Sequence, residues 1–156
     1  MISKEIATKV LEQCLVTGGD FAEIFEEDCI NNNLMLIDSK IENVLGGRTY
    51  GIGIRIFKGF NSVYAYTNDN SLESMLDTAY KAALALGRVG EEKMIVLNNC
   101  KRTTDINLIK LYPNSVDYQH KINIMKKAFK SAKDYNSEIS QVSVNYLDKE
   151  QNVLVA

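Results

Sequence analysis

The sequence predicts an α+β fold: an antiparallel sheet of hairpin or meander type, packed with helices at about 3–17, 71–87 and 115–136. Three observations predict it. Apolar residues recur at three- and four-residue steps in those segments, the helical period. Between the first two segments the period drops to two, the strand period. The links within that strand-rich part are too short for parallel crossovers, so neighbouring strands run antiparallel.

The first helix carries Ile2, Ile6, Val10 and Cys14 at four-residue steps, joined by Ala7, Leu11 and Leu15. Gly18 and Gly19 supply the flexible backbone that ends it. "DFAEIFEEDCI" (20–30) then alternates as a strand, and Asn31 to Asn33 read as a turn. "LMLIDS" (34–39) and "KIENVL" (40–45) read as two short strands or one bent strand. Gly46-Gly47 read as another turn.

"TYGIGIRIFK" (49–58) is the strongest strand, with Ile52, Ile54 and Ile56 on one face and Gly51, Gly53 and Arg55 on the other. "GFN" (59–61) reads as a three-residue loop, and "SVYAYT" (62–67) as the returning strand. In the second helix Ser71 is the expected N-cap, Gly87 the stop, and Leu72, Met75, Leu76, Ala79, Ala83 and Leu86 the apolar stripe.

Residues 88–114 read as a polar connection with a short strand at 94–97. The third helix follows, capped by Ser115, with Tyr118, Ile122, Met125, Phe129 and Ala132 along one side. "ISQVSVNYLD" (139–148) alternates, "KEQN" reads as a turn and "VLVA" as the start of another strand. The last of these predicts a domain cut from something larger, and an apolar strand seeking a partner.

Composition narrows the function. Hydrophobic residues make up 46% and charged residues 24%, the proportions of a water-soluble globular chain. No apolar run approaches the ~20 residues that span a bilayer, and no signal peptide is visible. A cytoplasmic protein without a membrane role is expected. The formal net charge is −2. The lysines of "MKKAFKSAKD" (125–134) read as a solvated helix face, so direct nucleic-acid binding is not expected.

The residues offer little chemistry. Gly51-x-Gly53 lacks the third glycine and the following helix of a dinucleotide fingerprint. The one histidine, His120, sits in a Lys-flanked helix with no nucleophile motif beside it. Cys14, Cys29 and Cys100 are widely spaced and form no metal or disulfide framework; Cys14 reads as a core residue. Asp20, Glu23, Glu26, Glu27 and Asp28 form an acidic cluster that alternation with solvent explains. Arg55, beside bare glycine backbone, is a candidate for holding a carboxylate, or else a structural arginine.

The order of the motifs is more informative than any one of them. A helix, "GGDFAEIFEED", "IENVLGGRTYGIGIRIFKG", "VYAYTND" and the alanine-rich "SLESMLDTAYKAALALG" together resemble the N-terminal region of the TldD/PmbA family, historically described as modulators of DNA gyrase. The resemblance is strongest over 18–87. It implies an N-terminal α+β domain over 1–93, and over 94–156 a connection leading into the family's central region.

It also implies a metallopeptidase acting on peptides or unfolded chains, built as a homo- or heterodimer around an enclosed cleft. The family's zinc motif, of His-Glu-x-x-x-His type, is absent from this sequence. Zinc is therefore expected only in a complete catalytic subunit, no residue here is assigned as catalytic or metal-binding, and the chain alone is expected to be inactive. Gly51, Gly53 and Arg55 are the candidates for contact with a peptide or a partner subunit. The residues leave open whether the parent is the catalytic subunit or a PmbA-like partner. They also leave open a non-enzymatic binding module that regulates gyrase or a toxin–antitoxin pair.

Overall fold

The computed structural model describes residues 1–87, 94–100 and 109–156. Its elements are α1 (Lys4–Cys14), β1 (Phe21–Ile37), β2 (Lys40–Lys58), β3 (Asn61–Thr67), α2 (Leu72–Leu86), a 3-10 turn (Pro113–Ser115), α3 (Tyr118–Lys133) and β4 (Ser143–Val155). The strands form an antiparallel sheet in the order β3-β2-β1-β4, so the α+β expectation holds. The chain divides into two compact units. The first comprises Met1–Asp28, Tyr50–Thr103 and Asn152–Ala156; the second comprises Cys29–Thr49 and Thr104–Gln151.

In the first unit the apolar faces of α1 and α2 cover the isoleucine side of β2. Val10, Cys14, Ile24, Ile52, Ile54, Ile56, Met75, Ala79 and Ala83 lose all solvent contact there. Ser3 starts α1 by accepting the Ile6 N–H, and Ser71 starts α2 by accepting the Ser74 N–H, each supplying an acceptor to an otherwise unpaired first-turn donor. The Thr17 hydroxyl donates to the Ala83 carbonyl at 2.9 Å and ties the end of α1 to α2. The small side chains of α2 permit that close approach.

Lys58 pairs with Asn61, so the β2–β3 loop has two residues, Gly59 and Phe60, rather than three. Gly59 has φ +56°, at the position where a II′ turn needs glycine. The alternating strand at the end of the chain is also paired: Ile24 and Ala156 exchange both backbone hydrogen bonds, at 2.7 and 3.0 Å.

The second unit corrects several turn expectations. Asn31 to Asn33 lie inside β1, because Asn32 is buried and its amide donates to Asp148 at 2.7 Å and to Asn114 at 3.1 Å. Tertiary pairing overrides the weak strand propensity of asparagine. Gly46 and Gly47 lie inside β2. A Cβ at Gly46 would come within 2.9 Å of the Tyr118 hydroxyl, so that glycine serves a close approach and not a turn. The turn falls instead at Asp38 and Ser39, both with positive φ.

"KEQN" is part of a continuous β4, held by Asn114 donating to Glu150 at 2.9 Å. Asp117, not Ser115, caps α3, because its carboxylate accepts the Gln119 N–H. Met94–Leu97 is not a strand. The remainder of the predicted connection, at 88–93 and 101–108, lies outside the described residues.

The core of this unit is small: Leu34, Leu36 and Met125, with Ile41, Ile122, Phe129, Val144 and Tyr146 around them. A polar centre lies beside it. Lys121 is buried, donates to Asp148 at 2.6 Å, and lies over the rings of Tyr118 and Tyr146 at 5.3 and 5.8 Å.

Candidate functional site

The two-residue period of β2 sends Ile52, Ile54 and Ile56 inward, and therefore Gly51, Gly53 and Arg55 outward. The register places Tyr66 opposite Gly53 and Tyr64 opposite Arg55, so both tyrosines share this outer face. On β1 the same alternation turns Phe21, Glu23 and Phe25 outward while Ile24 and Glu26 go in. The face is rich in exposed aromatic surface: Phe21, Phe25, Tyr64 and Tyr66 all reach solvent.

Four strands meet at a shallow depression of about 250 Å3, lined by Glu23, Phe25, Gly53, Arg55, Tyr64 and Val155. Gly53 is part of its floor. The Tyr64 side chain leans diagonally across Gly53, and a Cβ at that glycine would collide with the phenol. An aromatic of the "VYAYT" strand therefore does cover Gly53. Gly51, one pair further along the same face, has only the Thr67 carbonyl near it, at 3.9 Å, and does not line the depression.

Arg55 is engaged within its own sheet. Its Nη1 lies 3.3 Å from Glu23 Oε1, and its guanidinium sits 5.7 Å from the centre of the Tyr64 ring. About half of the side chain remains exposed, which leaves further N–H donors pointing at solvent. The site therefore offers apolar walls of Phe25, Tyr64 and Val155 with the Arg55–Glu23 ion pair at the rim. Such a surface can hold an apolar side chain and a carboxylate close together.

The other candidates lie elsewhere. His120 is exposed on α3, lining an open groove with Asn123, Ile124, Lys126, Lys127 and Lys130. These lysines are the solvated helix face expected of them. Cys14 is fully buried, and burial pushes its thiol up to about 12. Among the described residues no group of three or more His, Cys, Asp and Glu is placed to hold a metal ion. The described residues do not fit a zinc centre.

Sequence reading missed two features. Glu26 is not a solvent-facing member of the acidic cluster. It is buried, and its carboxylate accepts the Ile2 N–H at 2.7 Å and the Tyr50 hydroxyl at 2.8 Å. Its even position in β1, in phase with Ile24, was the available signal. The second is Phe60, fully exposed at the tip of the β2–β3 hairpin. A large apolar residue in a tight turn, where polar residues are usual, was the signal there.

Part of the chain is similar to known proteins. Residues 22–83, which hold all of β2, β3 and most of α2, match the family model of PmbA/TldA metallopeptidase domain 1. This stretch is similar to the first domain of that family. Across 95% of the chain, 29% of residues are identical to a metalloprotease of Methanocaldococcus jannaschii, and the match covers 32% of that protein.

Among solved structures, a candidate modulator of DNA gyrase from Bacteroides thetaiotaomicron superposes with a TM-score of 0.76 at 16% identity, covering 100% of this chain and 37% of its own. TldE from Thermococcus kodakarensis superposes at 0.52 with 18% identity, covering 88% of this chain and 32% of its own. At such identities these structures show the PmbA/TldD-type fold alone. The chain spans about a third of the length of these relatives. No described helix is long and apolar enough to cross a membrane.

Proposed function

We propose that this chain is the N-terminal, cleft-shaping and subunit-pairing part of a TldD/PmbA-type metallopeptidase that acts on peptides or unfolded chains in the cytoplasm. The zinc chemistry belongs to a part of the protein outside this sequence. The match of residues 22–83 to the metallopeptidase first domain carries the reading. In it, residues 1–93 form the N-terminal domain, and 94–156 lead into the central region. The outer face around Gly51, Gly53 and Arg55 contacts peptide or partner subunit, because exposed aromatic area beside a partly free guanidinium is what such a contact uses.

The test uses the product of the complete reading frame. Its zinc is counted by plasma mass spectrometry, and its cleavage of labelled casein is compared between wild type, Gly53→Val and Arg55→Ala. Bound zinc with casein cleavage supports the peptidase reading, and weaker cleavage or binding in the variants supports the contact face. A reading frame with no His-Glu-x-x-x-His segment, no zinc and no cleavage assigns the chain to the non-enzymatic binding module instead.

A further inference from the structure

The outer face of α3 breaks a rule that the other two helices keep. Between Tyr118 and Lys133 it carries five lysines and no aspartate or glutamate. By contrast, α1 interleaves Lys4 and Lys9 with Glu5 and Glu12, and α2 joins Lys81 to Asp77 at 2.6 Å. In α3, Lys126 and Lys130 stand four residues apart and Lys127 and Lys130 three apart, so like charges face one another on adjacent turns. Such pairs destabilise a helix. Among the described residues, none of these three lysines forms an ion pair.

The other two lysines have partners in the fold. Lys121 donates to Asp148, and Lys133 donates to the carbonyls of Ile139 and Ser140. Lys130 lies in the last turn, where the helix dipole favours a cation, but Lys126 and Lys127 lie outside that turn. Together with His120, Asn123 and Ile124, the three unpaired lysines line the open groove, and no carboxylate is part of its lining. The nearest acids on α3, Asp117 and Asp134, cap its two ends and lie outside the lining. Ile124, 47% exposed, is the apolar member of the groove.

We propose that this groove binds an acidic segment of an extended peptide, with Asp or Glu side chains on Lys126, Lys127 and Lys130 and an apolar side chain on Ile124. From His120 to Lys130 the helix rises about 15 Å. An extended peptide crosses that length with about five residues. The whole chain has a net charge of −2, and at physiological salt charges act over ~8 Å. A short acidic segment therefore meets the lysines alone, whereas a long polyanion or a bilayer also meets the acidic remainder of the protein. The lining also holds no aromatic ring on which nucleic-acid bases could stack. This deepens the proposed function by naming a substrate class, acidic unfolded segments, and rests on that reading only in calling the peptide a substrate.

The test is fluorescence anisotropy of a labelled short peptide of Glu and Leu, titrated with the chain up to several hundred micromolar, with circular dichroism to confirm folding. A Gln-and-Leu peptide of the same length is the uncharged control. Wild type is expected to bind the acidic peptide saturably, more weakly as salt rises, and to bind the control at least tenfold more weakly. Lys126→Glu, Lys127→Glu and Lys130→Glu combined change only exposed residues and are expected to weaken binding at least tenfold. The same three positions changed to Arg should keep it. Lys4→Glu with Lys9→Glu, exposed on α1, alters the net charge elsewhere and should also keep it.

A wild type that does not bind the acidic peptide overturns the proposal, as does a charge-reversed α3 that binds as wild type does. Tighter binding of a dT oligonucleotide, or of phosphatidylcholine–phosphatidylserine vesicles, also overturns it and assigns the face to a nucleic acid or a bilayer. None of these outcomes touches the zinc and casein assay, so the peptidase reading stands or falls separately.

Discussion

The Lys121 ammonium lies 2.6 Å from Asp148 Oδ2, with only 2% and 9% of the two side chains exposed. Asn32 donates to the other Asp148 oxygen at 2.7 Å. Removing one member of such a pair leaves an uncompensated buried charge, which costs about 3–5 kcal/mol. Lys121→Met is therefore expected to lower the urea midpoint strongly, and Lys121→Met with Asp148→Leu to recover part of the loss.

The pH dependence follows from the same pair. Burial alone would raise the Asp148 carboxyl, but the hydrogen bonds from Lys121 and Asn32 and the Lys121 charge outweigh it and hold the group below the usual carboxylate range. A lowered acid stabilises the fold at and above its unfolded pKa of about 3.9 and loses that contribution as pH falls further. Urea titrations at pH 7, 5 and 3 should show this contribution intact at the first two and reduced at the third.

Tyr50 gives the opposite limit. Burial first, and then the hydrogen bond and charge of Glu26, push its phenol up to about 12. The folded state keeps the proton that the unfolded chain gives up near pH 10, so stability is full below that pH and falls between about 10 and 12. Alkaline unfolding of Tyr50→Phe should lack that fall, and tyrosinate absorbance at 295 nm should show one late-titrating phenol fewer.

The three cysteines differ in access. Cys14 and Cys29 are buried and Cys100 is exposed. One thiol should react with Ellman's reagent within the mixing time at pH 8, and the other two only after unfolding. A Cys100→Ser chain should lose the fast phase completely.

Asp38 and Ser39 connect β1 to β2 with φ of +44° and +71°. Two positive values make a I′ turn, whose second position favours glycine. A non-glycine residue there costs about 1–2 kcal/mol. Ser39→Gly is expected to stabilise the protein by about 1 kcal/mol, read as a higher thermal midpoint.

Local pattern carried much of the fold. The isoleucines of β2 and the stripes of α1 and α2 depend on periodicity and on capping residues a few positions away, so they were legible. The asparagine run and "KEQN" were misread because their strand state depends on partners far along the chain: Asn32 with Asp148 and Asn114, and Glu150 with Asn114. Gly46 was misread for the same reason, since Tyr118 is what approaches it. At the candidate site, the shared face of Gly53 and Arg55 followed from alternation. The Tyr64 ring over Gly53 needed the pairing of β3 with β2, and the wall at Val155 needed the pairing of β4 with β1, which no local window contains.

The reciprocal bonds between Ile24 and Ala156 have a kinetic consequence. The β2–β3 hairpin closes over two residues and can form within microseconds. Joining Ile24 to Ala156 means closing a loop of almost the whole chain, and its entropy must be spent before the contact returns anything. The pairing of β4 with β1 is therefore expected to follow closure of the β2–β3 hairpin, leaving one side of β1 open until it forms.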